Sequence, residues 1–239
     1  MEQTEDKKNI WLCIPCYGGQ AYIATYKSII HDMFPLVMQG HTVRIYDDIG
    51  HADIYHLRAQ IVAAFLQDKA ATDLIFIDSD VAWEPYGLQA LLDHDVDVVA
   101  GAYPKRQDPI TFMYRAAEGP LIGDPDTGLV EVWGMPGGFM RIKRHVLEKM
   151  WDAYPDLVMI DQSVPGGKCC RMFDPYWYTD EKGIKKVQSE DYSFCSRWRD
   201  IGGKVYLDAR IGMAHIGTKA FMGKLGEWKD ILRKPEAAE

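Results

Sequence analysis

The chain has 239 residues, 47% of them hydrophobic, which is enough for one large domain or two small ones. Its formal net charge of −8 argues against a general nucleic-acid coat, and no run approaches the ~18 apolar residues of a membrane span. Met1 to Asn9 is polar and acidic and does not read as a signal peptide, and five cysteines, an odd count, suggest reduced thiols. A cytoplasmic protein is expected.

In chain order, Ile10 to Ile14 reads as a first strand and Gln20 to Met38 as a helix after a Gly18-Gly19 turn. Thr42 to Tyr46 is a second strand and Tyr55 to Gln67 an amphipathic helix. Leu74 to Ile77 is a third strand, Pro85 to Leu92 a short helix and Val96 to Ala100 a fourth strand. This alternation predicts a mostly parallel sheet with helices on both faces. The pattern then loosens. Thr111 to Arg115 and Leu129 to Trp133 read as short strands, Arg144 to Met150 as a helix, and Tyr154 to Lys186 as a long ordered loop. Asp191 to Asp200 is a helix, Lys204 to Tyr206 a strand, and a C-terminal amphipathic helix closes the chain. One α/β domain over 1–239 is expected: a nucleotide half over 10–105, an acceptor half over 106–220, and a helix or tail over 221–239.

The sharpest local signal is Asp78-Ser79-Asp80, which ends the apolar run Asp73-Leu74-Ile75-Phe76-Ile77. Two carboxylates two residues apart at the C-terminal edge of a buried strand form a hard oxygen site for Mg²⁺ or Mn²⁺. Ligands bind at that edge in open α/β sheets. A solvated acidic turn is the plain alternative. Cys13-x-x-Cys16 has the spacing of a redox pair, but Cys13 reads as buried in the strand, and Cys169-Cys170 is an awkward metal chelate.

Four further segments occur in order: Ile14-Pro15-Cys16-Tyr17-Gly18, Tyr46-Asp47-Asp48, Ser189-Glu190-Asp191-Tyr192 and His215-Ile216-Gly217. Together with Asp78-Ser79-Asp80 they resemble the motifs of GT-A-fold glycosyltransferases of the family 2-like type. In length the chain is similar to small stand-alone enzymes of bacteria, phages and large DNA viruses. The resemblance implies a GT-A (Rossmann-like) fold and transfer of a sugar from a nucleoside diphosphate sugar, UDP preferred over GDP, to a carbohydrate or other hydroxyl acceptor. A modified nucleic acid is an acceptor that the net charge does not indicate. It implies metal ligation by Asp78, Asp80 and His215, and nucleotide contacts from Pro15, Cys16, Tyr17, Asp47, Asp48 and Ser79. It also implies an inverting reaction with Asp191, or Glu190, as the base.

Each of these residues has its own chemistry. A divalent cation neutralises a leaving diphosphate, and an imidazole beside two carboxylates favours Mn²⁺ over Mg²⁺. Arg58, near the start of the second helix, is a cation within reach of a pyrophosphate, or else a surface salt-bridge partner. Family members often carry Arg-Asn there, whereas this chain has Arg58-Ala59. Lys219 is a second phosphate candidate, within a late basic group of Lys204, Arg210, Lys219, Lys224, Lys229, Arg233 and Lys234. The helix dipole is expected to hold Asp191 at a low pKa, with Ser189 as an alternative helix cap. Gly137 and Gly138 permit close approach of backbone to a ligand, or form a hairpin turn. Trp133, Tyr176, Trp177 and Tyr178 offer stacking faces or core packing. The rival classes are a haloacid-dehalogenase-type phosphatase using Asp78 and Asp80, a non-catalytic nucleotide-sugar binder, and a nucleotidyltransferase that lacks its usual Gly-rich loop.

Overall fold

The run Ile10-Trp11-Leu12-Cys13-Ile14 carries no charged side chain and lies in the middle of β1 (Asn9–Cys16). Its side chains alternate between two cores. Trp11 and Cys13 join Leu57, Ile61 and Phe65, while Ile10, Leu12 and Ile14 join Ile29 and Leu36. A strand covered on both faces must be apolar throughout, which is why the run was legible. The computed structural model describes residues 7–228 and 231–233. Within the expected C-terminal tail, 229, 230 and 234–239, including Lys229 and Lys234, lie outside the described residues.

After β1 come α1 (Ile23–Met38), β2 (Thr42–Ile49), α2 (Ile54–Gln67), β3 (Asp73–Ile77), β4 (Val81–Trp83), α3 (Gly87–Asp93) and β5 (Val98–Gly101). Next are β6 (Arg115–Ala116), β7 (Leu129–Gly134), β8 (Phe139–Lys143), α4 (Arg144–Ala153), β9 (Val158–Ile160), β10 (Lys168–Cys170), β11 (Trp177–Thr179) and β12 (Lys185–Val187). The last elements are α5 (Glu190–Asp200), β13 (Val205–Asp208), β14 (Met213–Ile216), β15 (Ala220–Gly223) and α6 (Leu225–Trp228).

Eight strands form one mixed sheet in the order β2-β1-β3-β8-β5-β13-β7-β6. The pairings give six strands one common direction, as expected, and reverse β7 and β8. Strand β8 sits between β3 and β5 and carries Arg141 into the interior. There its guanidinium bonds Asp73 at 2.7 Å and the carbonyls of His94 and Val96 at 3.0 and 3.1 Å. A buried charge needs that degree of pairing.

Three expectations are corrected. Residues 154–186 are not one loop: they hold a 3₁₀ turn and the antiparallel hairpins β9–β10 and β11–β12. Thr111 to Arg115 is not a strand, since only Arg115–Ala116 and a bridge between Pro104 and Phe112 form. After β13 the C-terminal helix is not the next element: β14 and β15 form a small sheet with β4, and the described helix is the single turn α6.

Candidate active site

Strand β3 stops at Ile77, and the turn that follows is held from both sides. Asp78 N–H donates to the Gly138 carbonyl at 2.9 Å, and Ile216 N–H donates to the Asp80 carbonyl at 2.8 Å. Strand β4 then pairs antiparallel with β14, with His215 opposite Val81. That pairing puts His215 beside the motif. Its Nε2 lies 3.7 Å from Asp80 Oδ1 and its Nδ1 3.0 Å from the Pro104 carbonyl. A carbonyl only accepts, so Nδ1 carries the proton and Nε2 presents a lone pair. Burial, with the Arg106 charge adding to it, holds the imidazole below its ordinary pKa and neutral. The donor types, two carboxylates and such an imidazole, are those a Mn²⁺-type cation takes, although as they stand the ligand atoms of Asp78, Asp80 and His215 do not all lie within 4.8 Å of one another.

Asp78 Oδ1 is 3.5 Å from Arg58 Nη2, and Asp78 Oδ2 accepts from the Tyr103 hydroxyl at 3.3 Å. Arg58 is not a surface residue: it is 2% exposed, with its guanidinium 4.5 Å from the Phe76 ring and 5.7 Å from that of Phe173. Its Nε and Nη1 have no hydrogen-bond partner among the described residues. The surface salt-bridge reading is thereby replaced by a fixed positive charge under the acidic edge of the sheet.

Asp191 lies in the first turn of α5. Its Oδ1 accepts from Ser189 Oγ at 2.5 Å and from Tyr192 N–H at 2.8 Å, and its Oδ2 accepts from Gly137 N–H at 3.3 Å. Ser189 occupies the cap position but makes no side-chain cap; its hydroxyl serves Asp191 instead. The expected low pKa is corrected. Burial raises Asp191 above the ordinary carboxylate value despite Arg58 and these three donors, and burial and the Asp191 charge raise Glu190. Desolvation outweighs the dipole of one helix.

The glycine pair joins this carboxylate to the metal motif. Gly138 N–H donates to Tyr103 Oη at 3.2 Å while Tyr103 donates to Asp78, so a hydrogen-bonded path runs Asp191–Gly137–Gly138–Tyr103–Asp78. Residues 135–138 are not a hairpin turn: β7 pairs with β13 and β6, whereas β8 pairs with β3 and β5. A Cβ on Gly138 would lie 2.3 Å from Asp78 Oδ2 and 2.6 Å from Tyr103 Oη. Gly138→Ala is therefore expected to push the Asp78 carboxylate aside. Mn²⁺ affinity at that carboxylate should drop about tenfold or more, the scale on which groups that orient a metal ligand act. Titration of Mn²⁺ into the variant and the parent, beside melting curves of both, reads the loss.

The remaining nucleotide candidates sit at the ends of β1 and β2. Pro15 is opposite Asp48 and Ile14 opposite Asp47. Cys16 Sγ donates to the Gln20 carbonyl at 2.9 Å, and the Ser79 carbonyl accepts from Tyr22 N–H at 2.9 Å. Asp48 is 3.6 Å from His51 Nε2, and Tyr17 is 69% exposed with its ring free to meet a base. Lys219 pairs with Asp108 and lies 4.9 Å from the Phe221 ring. Trp177 is 71% exposed on β11, while Trp133 carries the Arg199 guanidinium at 4.6 Å.

The cysteine alternatives resolve differently. All five are free and buried, and burial raises the Cys13 thiol far above its ordinary pKa. Among the described residues, the three potential ligands gathered within 4.8 Å of one another are His56, Asp161 and Cys169. There Asp161 already accepts from His56 at 2.7 Å, Gln60 at 3.0 Å and Ser163 at 2.6 and 2.9 Å. These bonds clasp α2 to the β9–β10 hairpin and hold Asp161 well below the ordinary carboxylate pKa. Sequence reasoning missed this clasp. It also missed Tyr103 and Arg106, which no local motif marks.

No protein-family model matches the chain, and no curated protein matches it in sequence. Among solved structures it is similar to A197 from STIV, at 18% identity and TM-score 0.52, over 97% of each chain. That likeness shows a shared fold. It is also similar to GalNAc-T7, solved with UDP, GalNAc and Mn²⁺. That match has 12% identity and TM-score 0.48 over 91% of this chain and 46% of the other, too slight to argue from. The architecture is a single mixed α/β domain, a large mixed sheet flanked by helices, and its fold is shared with A197 from STIV. Among the described residues, no helix is long and apolar enough to cross a membrane.

Proposed function

We propose that this chain is a divalent-metal-dependent glycosyltransferase. It moves a sugar from a nucleoside diphosphate sugar, a UDP-sugar first, to a hydroxyl acceptor with inversion of the anomeric carbon. The observation that supports this reading is the hydrogen-bonded path from Asp191 through Gly137, Gly138 and Tyr103 to Asp78, which ties the two carboxylates into one network beside the end of β3. Asp78, Asp80 and His215 would hold the metal, which supplies Lewis-acid neutralisation of the leaving diphosphate. Arg58 adds fixed positive charge beneath it, in a dry setting where preorganised charge acts most strongly. The ends of β1 and β2 would hold the nucleoside, with Tyr17 on the base and Asp47 or Asp48 accepting from its N–H. Asp191 would take the proton of the acceptor hydroxyl as that oxygen attacks. A non-catalytic nucleotide-sugar binder would have no use for a carboxylate fixed by three donors beside Gly137. The test is a thermal-shift panel of nucleoside diphosphates with and without Mn²⁺, followed by donor hydrolysis on the best binder. A true ligand at a hundredfold excess over its Kd stabilises by about 2.7 kcal/mol. UDP is expected to give the largest shift, and only with Mn²⁺. Equal, negligible shifts for all of them would remove the assignment.

A further inference from the structure

One short segment touches every residue of the candidate metal centre. Beyond β5, Tyr103 donates to Asp78, the Pro104 carbonyl accepts from His215, and Arg106 donates to Asp80. The segment is closed on itself by the bridge between Pro104 and Phe112 and by Lys105 N–H to the Thr111 carbonyl at 2.7 Å. It continues to Asp108, which takes Lys219 from the loop after β14. The two carboxylates of the motif thus have one arginine each, and the two arginines differ in freedom. Arg58, beside Asp78, is locked between Phe76 and Phe173. Arg106, on Asp80, is 40% exposed, and its stem runs past Gly217, where a Cβ would stand 3.2 Å from Arg106 Cδ.

Resting on the glycosyltransferase reading, we propose that Arg106 is a resident counter-cation of the metal centre and a ligand of the donor diphosphate. Before metal binds, its guanidinium neutralises Asp80, the second carboxylate of the motif. A divalent ion at Asp80 competes for the same carboxylate and releases the arginine. The freed fork, 40% exposed, then faces solvent at the rim of the site, where a diphosphate oxygen pair is the anion it matches bidentately. One residue therefore opposes the metal alone and favours the metal together with nucleotide. The two bind cooperatively because each takes one end of the broken Arg106–Asp80 pair.

Arg106→Ala separates these roles by sign. Titrated with MnCl₂ alone, followed by the free-Mn²⁺ resonance, the variant should bind about two- to fivefold tighter than the parent, the scale of a lost exposed ion pair. Titrated with UDP at saturating Mn²⁺ in a calorimeter, it should bind about ten- to a hundredfold weaker, the scale of charge-assisted hydrogen bonds. Arg106→Lys keeps the charge without the fork and should recover part of the UDP affinity. Melting curves of all three proteins confirm folding. Unchanged or weaker Mn²⁺ binding by Arg106→Ala overturns the counter-cation role, and unchanged UDP binding overturns the diphosphate role. A parent protein that binds neither Mn²⁺ nor UDP overturns the glycosyltransferase reading and this inference with it.

Discussion

Asp80→Asn is expected to remove most transfer and most Mn²⁺-dependent UDP binding while leaving the fold intact. The backbone of residue 80 is anchored independently of its side chain, through its carbonyl to Ile216 N–H at 2.8 Å. The side chain meets Arg106 and His215 at the surface, so an isosteric amide disturbs no core contact. What is lost is a carboxylate that a hard cation needs. Partners one shell further out already cost about 10–100-fold in metal affinity when mutated, so a direct ligand should cost on the order of a hundredfold or more. Asp78→Asn should behave differently. It removes the counter-charge of buried Arg58, whose Nε and Nη1 already lack partners, and so should lower the melting temperature as well as the affinity. Calorimetric titration of UDP with Mn²⁺, beside thermal melts, reads both. Normal Mn²⁺-dependent UDP affinity in Asp80→Asn would sink the metal assignment.

The strands β1, β3 and β5 were legible because parallel strands buried on both faces are continuous apolar runs, and α2 because its apolar spacing is helical. The turn at Asp78-Ser79-Asp80 was legible for the same reason: polarity changes abruptly where a buried strand meets solvent. What escaped depends on long-range pairing. Strand β4 is three residues long, and only its pairing with β14 makes it a strand and brings His215 to Asp80. The hairpins within 154–186 are built from three-residue strands, too short for alternation to show. Arg141 marks β8 as a central strand only once Asp73 is known to face it, since a charged residue otherwise argues for a surface. Tyr103 and Arg106 follow β5 in a stretch with no distinctive spacing, and their importance appears only through what they touch. The direction of the Asp191 pKa was misjudged because helix position is readable from sequence whereas desolvation is a property of the packed molecule.

Asp191→Asn should reduce transfer by on the order of 10²–10⁴-fold, the usual scale for a general base, and leave UDP binding with Mn²⁺ unchanged. Its carboxylate is proposed to touch the acceptor hydroxyl and not the diphosphate. Burial raises its pKa in the folded chain, which sets two signs. As a base it must be ionised, so the transfer rate of the parent should fall as pH drops through a midpoint above the ordinary aspartate value. That acid limb should be missing from the residual rate of the Asn variant. For stability, a carboxyl whose folded pKa is raised binds its proton more tightly in the native state than in the unfolded one. Its contribution is therefore favourable below the unfolded pKa of about 4 and is lost as pH rises through the folded value. At neutral pH the charged form opposes folding relative to the protonated one, but an amide keeps one acceptor oxygen where both carboxylate oxygens now accept, so melting curves of Asp191→Asn beside the parent separate lost activity from unfolding. Direct attack assisted by this base inverts the anomeric carbon, so the product configuration, read by NMR, is the companion measurement. Near-normal transfer by the Asn variant would remove Asp191 as the base. A product that keeps the donor's configuration would leave the metal centre standing and replace the single displacement with a retaining route.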